Sequence, residues 1–182
     1  PYLDTAGIVM AKRIQARGVP VDIVCNNMDS VRRLDRRLDL ITAGLVGRKI
    51  ILDGRPSFSS WTEIRRFCDD ADKKVKALEK SGTAHREIYS RAMWIASHFA
   101  AVVHKLRKPE VFWRAEFSDP LLKDVQGEDR EAELELSGLK KIGVFSALKQ
   151  AGISPPDTRN LFQWGEFLVY AFADEIVFTN EN

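Results

Sequence analysis

Ile8, Val9, Ala11 and Ile14 recur at helical spacing and stop short of Gly18, a residue suited to ending a helix. Val21 to Cys25 follows as an apolar run broken only by Asp22, so the opening reads as a helix feeding a buried strand. From Asp29 a second stripe, Val31, Leu34, Leu38 and Ile41, predicts another helix, with Arg32, Arg33, Asp35, Arg36 and Arg37 as its solvated face. Lys49 to Leu52 is a short strand, and the loop Asp53 to Ser59 runs into Ser60-Trp61-Thr62-Glu63, a capping box. Ile64, Phe67, Ala71, Val75 and Leu78 then mark one helix, and Tyr89, Ala92, Met93, Ala96, Phe99, Ala100 and Val103 another, over about 85–106 and ending before Pro109. A strand at 110–115 passes into a polar loop, 116–120. The acidic segment 127–135 reads as a solvated loop or helix end. Helices are predicted at about 137–151 and 157–173, the second with Asp157 as N-cap, before a closing strand at 175–178.

Helices alternating with short apolar strands predict an α/β fold, a Rossmann-like parallel sheet with helices on both faces. At 182 residues and 45% hydrophobic, the chain can bury one good core, and it reads as a single domain over 1–182. A helix that feeds a parallel strand ordinarily follows another strand, so this reading expects the first strand of the sheet, and a continuation beyond residue 182, to lie outside the sequence.

Charge changes the picture little. The 28 basic and 26 acidic residues leave a net +2, which gives no global electrostatic case for nucleic acid. Cys25 and Cys68 have no CxxC spacing, which suits a reducing compartment, and no run approaches the roughly 20 apolar residues of a membrane span. His85, His98 and His104 do not form a metal face. GxGxxG, P-loop and GxSxG motifs are absent.

Ligands of parallel α/β sheets bind beyond the carboxyl ends of the strands, which points to five loops: 2–7, 26–29, 53–61, 114–119 and 179–182. Asp4, Thr5, Ala6 and Gly7 stand at a helix N-terminus, where amides and helix dipole favour an anion such as a diphosphate; a simple cap by Asp4 or Thr5 explains the same residues, and the roles are compatible. Arg114, Glu116 and Asp119 are the densest charge at any predicted strand end. Arg114 could hold a phosphate or carboxylate, and Glu116 or Asp119 could take a proton from a sugar hydroxyl. Structural ion pairing, or capping by Asp119 of a helix opened by Pro120, is the competing reading.

The stretches PYLDTAGIVMAKRIQARGVPVDIV, EVFWRAEFSDPL and FADEIVFTNEN resemble the N-terminal domain of a GT-B fold glycosyltransferase, most similar to family 4 bacterial enzymes. The resemblance spans nearly the whole chain. It implies a Rossmann-like half that binds mainly a carbohydrate or lipid-linked acceptor, facing a C-terminal half that holds most of the nucleotide-sugar donor. By resemblance, transfer proceeds with retention, without metal or other cofactor, in the cytoplasm, with room for peripheral contact at the inner face of the membrane. Residues 4–7 map onto the loop near the donor phosphates. Arg114-Ala115-Glu116 maps onto a loop that in the family carries a histidine and then an acid, so the acid is matched and the histidine is not. Glu116 is therefore the catalytic candidate, expected in a wet cleft where its truncation would cost little stability, on one carboxyl rim of the sheet with Asp4, Gly7 and Asn180, and with Thr179 as a further cleft residue. A GT-B-like nucleotide-sugar epimerase and a non-catalytic α/β binding module are the alternatives.

Overall fold

The computed structural model describes residues 5–29, 39–42, 44–92 and 94–179. They fall into two compact units, Pro1–Pro56 and Ser57–Asn182. Asp4, Asn180, Met93 and most of the stripe at Val31, Leu34 and Leu38 lie outside the described residues.

In the first unit, helix α1 (Thr5–Arg17) buries Ala11 and Ile14. Gly18 closes it at φ 65°, its amide reaching back to the Ile14 and Gln15 carbonyls. Any other residue would meet steric strain there. Strand β1 (Val21–Asn26) then pairs in parallel with β2 (Val46–Leu52), Ile23 opposite Lys49 and Cys25 opposite Ile51. β2 begins three residues before the apolar run predicted at 49–52, because parallel pairing with β1 extends order into the polar Gly47-Arg48. Ile41, expected at the end of a helix, sits in a turn held by the Thr42 hydroxyl donating to the Asp39 carbonyl at 2.7 Å.

The second unit opens with α2 (Trp61–Lys80), which buries Trp61, Ile64, Phe67, Cys68 and Ala71 along one face. Ser60 caps it, accepting from the Glu63 amide at 3.5 Å, but the return arm of the capping box is replaced: the Ser60 amide donates to Ser57 Oγ at 2.9 Å. The elements that follow are β3 (Glu87–Ala92), α3 (Ala96–Arg107), β4 (Phe112–Phe117), α4 (Leu136–Lys141), α5 (Val144–Gln150), α6 (Leu161–Phe172) and β5 (Glu175–Phe178). The strands form one sheet in the order β3-β4-β5, parallel throughout. The fold is thus α/β and Rossmann-like, as the pattern predicts.

Three expectations need correction. The helix expected over 85–106 is a strand and a shorter helix, because parallel pairing with β4 draws Glu87–Ala92 into the sheet; the helical stripe drew Tyr89 and Ala92 from the strand. The helix expected over 137–151 is broken by Gly143, in the left-handed region at φ 87°. The last helix is capped by Asn160 rather than Asp157; the Asn160 side chain accepts from the Phe162 and Gln163 amides at 2.9 and 3.2 Å.

Register puts Ile88 with Trp113 and Ser90 with Ala115 on one face of the sheet, continued by Phe117, and α3 packs there. Trp113, Ala115, Phe99 and Val102 lie at 1% exposure or less, so β4 is the spine of this core. Polar groups within it are shared. Trp113 Nε1 donates to Ser90 Oγ at 2.8 Å, and Ser90 Oγ stands 2.7 Å from His98 Nδ1. α2 is fastened to α3 by Arg107, whose guanidinium donates to Asp72 at 3.0 Å and to Glu79 at 2.6 Å. Two glycines let side chains close on helix backbones: Gly165 of α6 lies against Ile95, and Gly138 of α4 under the Trp61 ring. Among the described residues no helix is long and apolar enough to cross a membrane.

A methyl at Gly138 would stand 2.7 Å from Trp61 Cζ2, and a buried indole cannot bend away. Gly138→Ala is expected to cost about 1–3 kcal/mol, read as a lowered urea midpoint. Burial also drives the His98 pKa from 6.5 down to about 3, so the folded chain holds the ring neutral while an unfolded chain would protonate it. This contribution to stability is present above pH 6.5 and lost as pH falls toward 3, by about 1.4 kcal/mol per unit. His98→Asn should therefore lose less stability than the parent chain between pH 7 and pH 5, by about 2 kcal/mol in paired urea titrations; equal losses would rule out this proton.

Candidate functional site

The chemistry-bearing side chains of the second unit lie on the sheet face opposite α3. Register aligns Tyr89 with Arg114 and Arg91 with Glu116 across β3 and β4, and continues Arg114 to Glu175 and Glu116 to Val177 on β5. At the amino-terminal half of this face the charges are partly exposed. Arg114 donates to Glu175 at 2.7 Å and stands 3.5 Å from Glu87, a ladder across all three strands. Arg114 thus takes the structural ion-pairing role that competed with ligand binding in the sequence.

Toward the carboxyl end the charges are buried. Glu116 has no exposed surface, Arg91 Nε donates to its Oε1 at 2.9 Å, and the Tyr89 hydroxyl donates to Oε2. The Arg91 side chain retains 11% exposure. This overturns the wet-cleft expectation for Glu116: a carboxylate without solvent needs partners, and β3 supplies both. The carboxylate is an anchor beneath the rim. Arg91 is the charged group with access to solvent.

Just past β5, Thr179 docks on the end of β4: its amide and hydroxyl both donate to the Phe117 carbonyl at 3.2 Å, and the hydroxyl also reaches the carbonyl of Ser118, the next residue, at 3.3 Å. Asp119, next in the chain, is exposed. It caps no helix, because none follows Pro120. The Leu121 and Leu122 amides instead donate to Glu166 Oε1 of α6 at 2.8 and 2.9 Å, while Arg130 Nη1 donates to the Pro120 and Leu121 carbonyls at 2.7 and 2.8 Å. Carboxylate on one side and guanidinium on the other clamp the backbone of 120–122. Of the rim expected from Asp4, Gly7, Glu116 and Asn180, Glu116 lies at the carboxyl end of β4, Gly7 belongs to the first unit, and Asp4 and Asn180 lie outside the described residues; Asp119 and Thr179 follow the ends of β4 and β5, with Arg114 set back along β4.

Of the remaining predicted residues, Thr5, Ala6 and Gly7 form the first turn of α1, in the first unit. Asp4 and Asn180 lie outside the described residues. In that same unit Asn26 ends β1 with a buried amide oxygen that has no hydrogen-bond partner, 3.4 Å from where a Cβ would stand on Gly54. Among the described residues no three of His, Cys, Asp and Glu converge on a point that a metal ion could occupy.

Sequence reasoning missed Tyr89, Arg91 and Glu166. The first two fall in the stretch read as a helix, because the order polar-apolar-apolar-polar-polar through 87–91 carries no period-two signal and only pairing with β4 makes the strand. Nothing local marks Glu166, whose partners lie 44 and 45 residues away. No protein-family model and no curated protein matches the chain.

Removing the Glu116 carboxylate would leave Arg91 mostly buried and unpaired. Glu116→Ala is expected to cost about 3–5 kcal/mol, measured by urea denaturation; a change near zero would show that the pair is not formed in solution.

Proposed function

We propose that the chain is the acceptor-side, Rossmann-like half of a glycosyltransferase that moves a sugar from a nucleotide-sugar to a carbohydrate or lipid-linked acceptor. The observation that carries this reading is the parallel sheet β3-β4-β5, whose carboxyl end gathers Arg91, Asp119 and Thr179 above a buried carboxylate. Sheets of this kind bind ligands beyond that end. The sequence stretches that resemble family 4 enzymes supply the reaction class. Burial of Glu116 favours a binding role for this half over delivery of an acid or base, since a group that exchanges a proton with substrate must come within hydrogen-bond reach of it. Cys25 and Cys68 are both free thiols, consistent with the cytoplasm as the working compartment.

On this reading the 182-residue chain contacts carbohydrate acceptors, binds nucleotide-sugars weakly or not at all, and turns none over. Saturation-transfer NMR with an oligosaccharide panel reads the first, and a nucleotide-release assay across nucleotide-sugars reads the rest. Robust transfer by the chain alone would show that the donor site has been misassigned. Contact with no carbohydrate would favour a non-catalytic binding module.

A further inference from the structure

We propose that Arg91 is an oxyanion-binding residue, presenting the outer edge of its guanidinium at the carboxyl end of β3 to a phosphate or carboxylate group. Three observations carry it. First, the side chain is held rather than loose: Nε donates to Glu116 Oε1 at 2.9 Å, and Glu116 is itself fixed by the Tyr89 hydroxyl and by complete burial. Second, that contact uses only one of the five N–H donors. Among the described residues neither Nη1 nor Nη2 of Arg91 makes a hydrogen bond, whereas Arg107 and Arg114 each spend several donors on carboxylates. Third, Arg91 sits where the strand ends. The hydroxyl of Ser97, in the first turn of α3, donates to the Arg91 carbonyl at 2.7 Å, which brings the start of α3 against the same residue.

A guanidinium locked through Nε leaves its Nη1–Nη2 edge free, and that edge matches two oxygens of a phosphate or carboxylate with little rotamer freedom left to lose. The pair with Glu116 offsets most of the positive charge, so recognition is directional more than coulombic and a small free anion should bind in the millimolar range. A larger ligand carrying that anion, such as a phosphorylated or uronic acceptor, would add its other contacts. The inference deepens the acceptor-side reading, but its test needs no sugar transfer.

The test is NMR titration of the chain with inorganic phosphate, pyrophosphate and glucuronate at constant ionic strength, following the Arg91 side-chain resonances and the amides of residues 91 and 95–97. Saturable shifts at those groups are expected; phosphate against glucuronate tells which oxyanion is preferred. Glu116→Gln removes the compensating charge and should tighten binding several-fold, a change that a purely structural Arg91 would not produce. The double variant R91Q/E116Q, which removes both charges together, should abolish it. Arg91→Lys keeps the pair with Glu116 but loses the fork, and should weaken binding at least 5-fold; it serves if the double variant does not fold. Arg66→Gln on the exposed face of α2 is the control for general charge. Absence of saturable shifts in the folded parent chain, or binding that persists unchanged in R91Q/E116Q or Arg91→Lys, would overturn the proposal.

Discussion

A carboxylate with no exposed surface in the middle strand of a sheet sets terms for everything near it. Desolvating such a group costs several kcal/mol unless hydrogen bonds replace water, so Glu116 requires donors that arrive at fixed positions. Both come from β3, and only the parallel register that aligns Arg91 with Glu116 delivers them. Slipping β3 by one residue would swap its faces, moving Arg91 toward α3 and Ser90 away from His98 and Trp113. The pair and the Ser90 cluster therefore fix the same register from opposite faces of the sheet.

The amino end of the sheet is tied differently. Lys105, near the end of α3, donates to the Pro109 and Val111 carbonyls and to Asp174, while Asp174 also accepts from the Trp113 amide at 2.6 Å. One ammonium and one carboxylate thus join the end of α3, the entry to β4 and the turn before β5. The last turn of α3 also carries Arg107, bound to α2. Polar contacts at both ends leave the apolar centre to Trp113, Phe99 and Trp164, where burial supplies the driving force.

The sequence makes the fold class legible because that depends on periodicity, and periodicity is local. α1, α2 and β5 are readable in this way, their apolar spacing agreeing with their end signals. β3 is not, because Tyr89 and Ala92 fit a helical stripe while 87–91 shows no polar and apolar alternation, and only pairing with β4 makes the strand. The same holds for the candidate site. Strand-end position brings out Glu116, Asp119 and Thr179, but whether a carboxylate is wet or buried depends on what the neighbouring strand places over it. Misreading β3 hid Arg91 and with it the environment of Glu116. The Glu166 clamp is written across 45 residues, and no short window contains it.

That clamp also divides the segment after β4 into two parts with different freedom to vary. Residues 120–122 are held by Glu166 and Arg130, and Asn160 in turn accepts the task of holding Arg130, donating to its carbonyl at 2.8 Å. Residues 123–129 form a small tab outside this hold, closed on itself by the Lys123 and Asp129 pairing and by Asp124 accepting from the Gln126 and Glu128 amides. Because its ends are pinned together, the tab contributes little to the geometry of Asp119, and closing a longer one would add only about 0.6 kcal/mol per doubling of its length. Homologous chains can thus lengthen or shorten this tab, even replace it with a recognition element of another shape, while the rim at the end of β4 keeps its form.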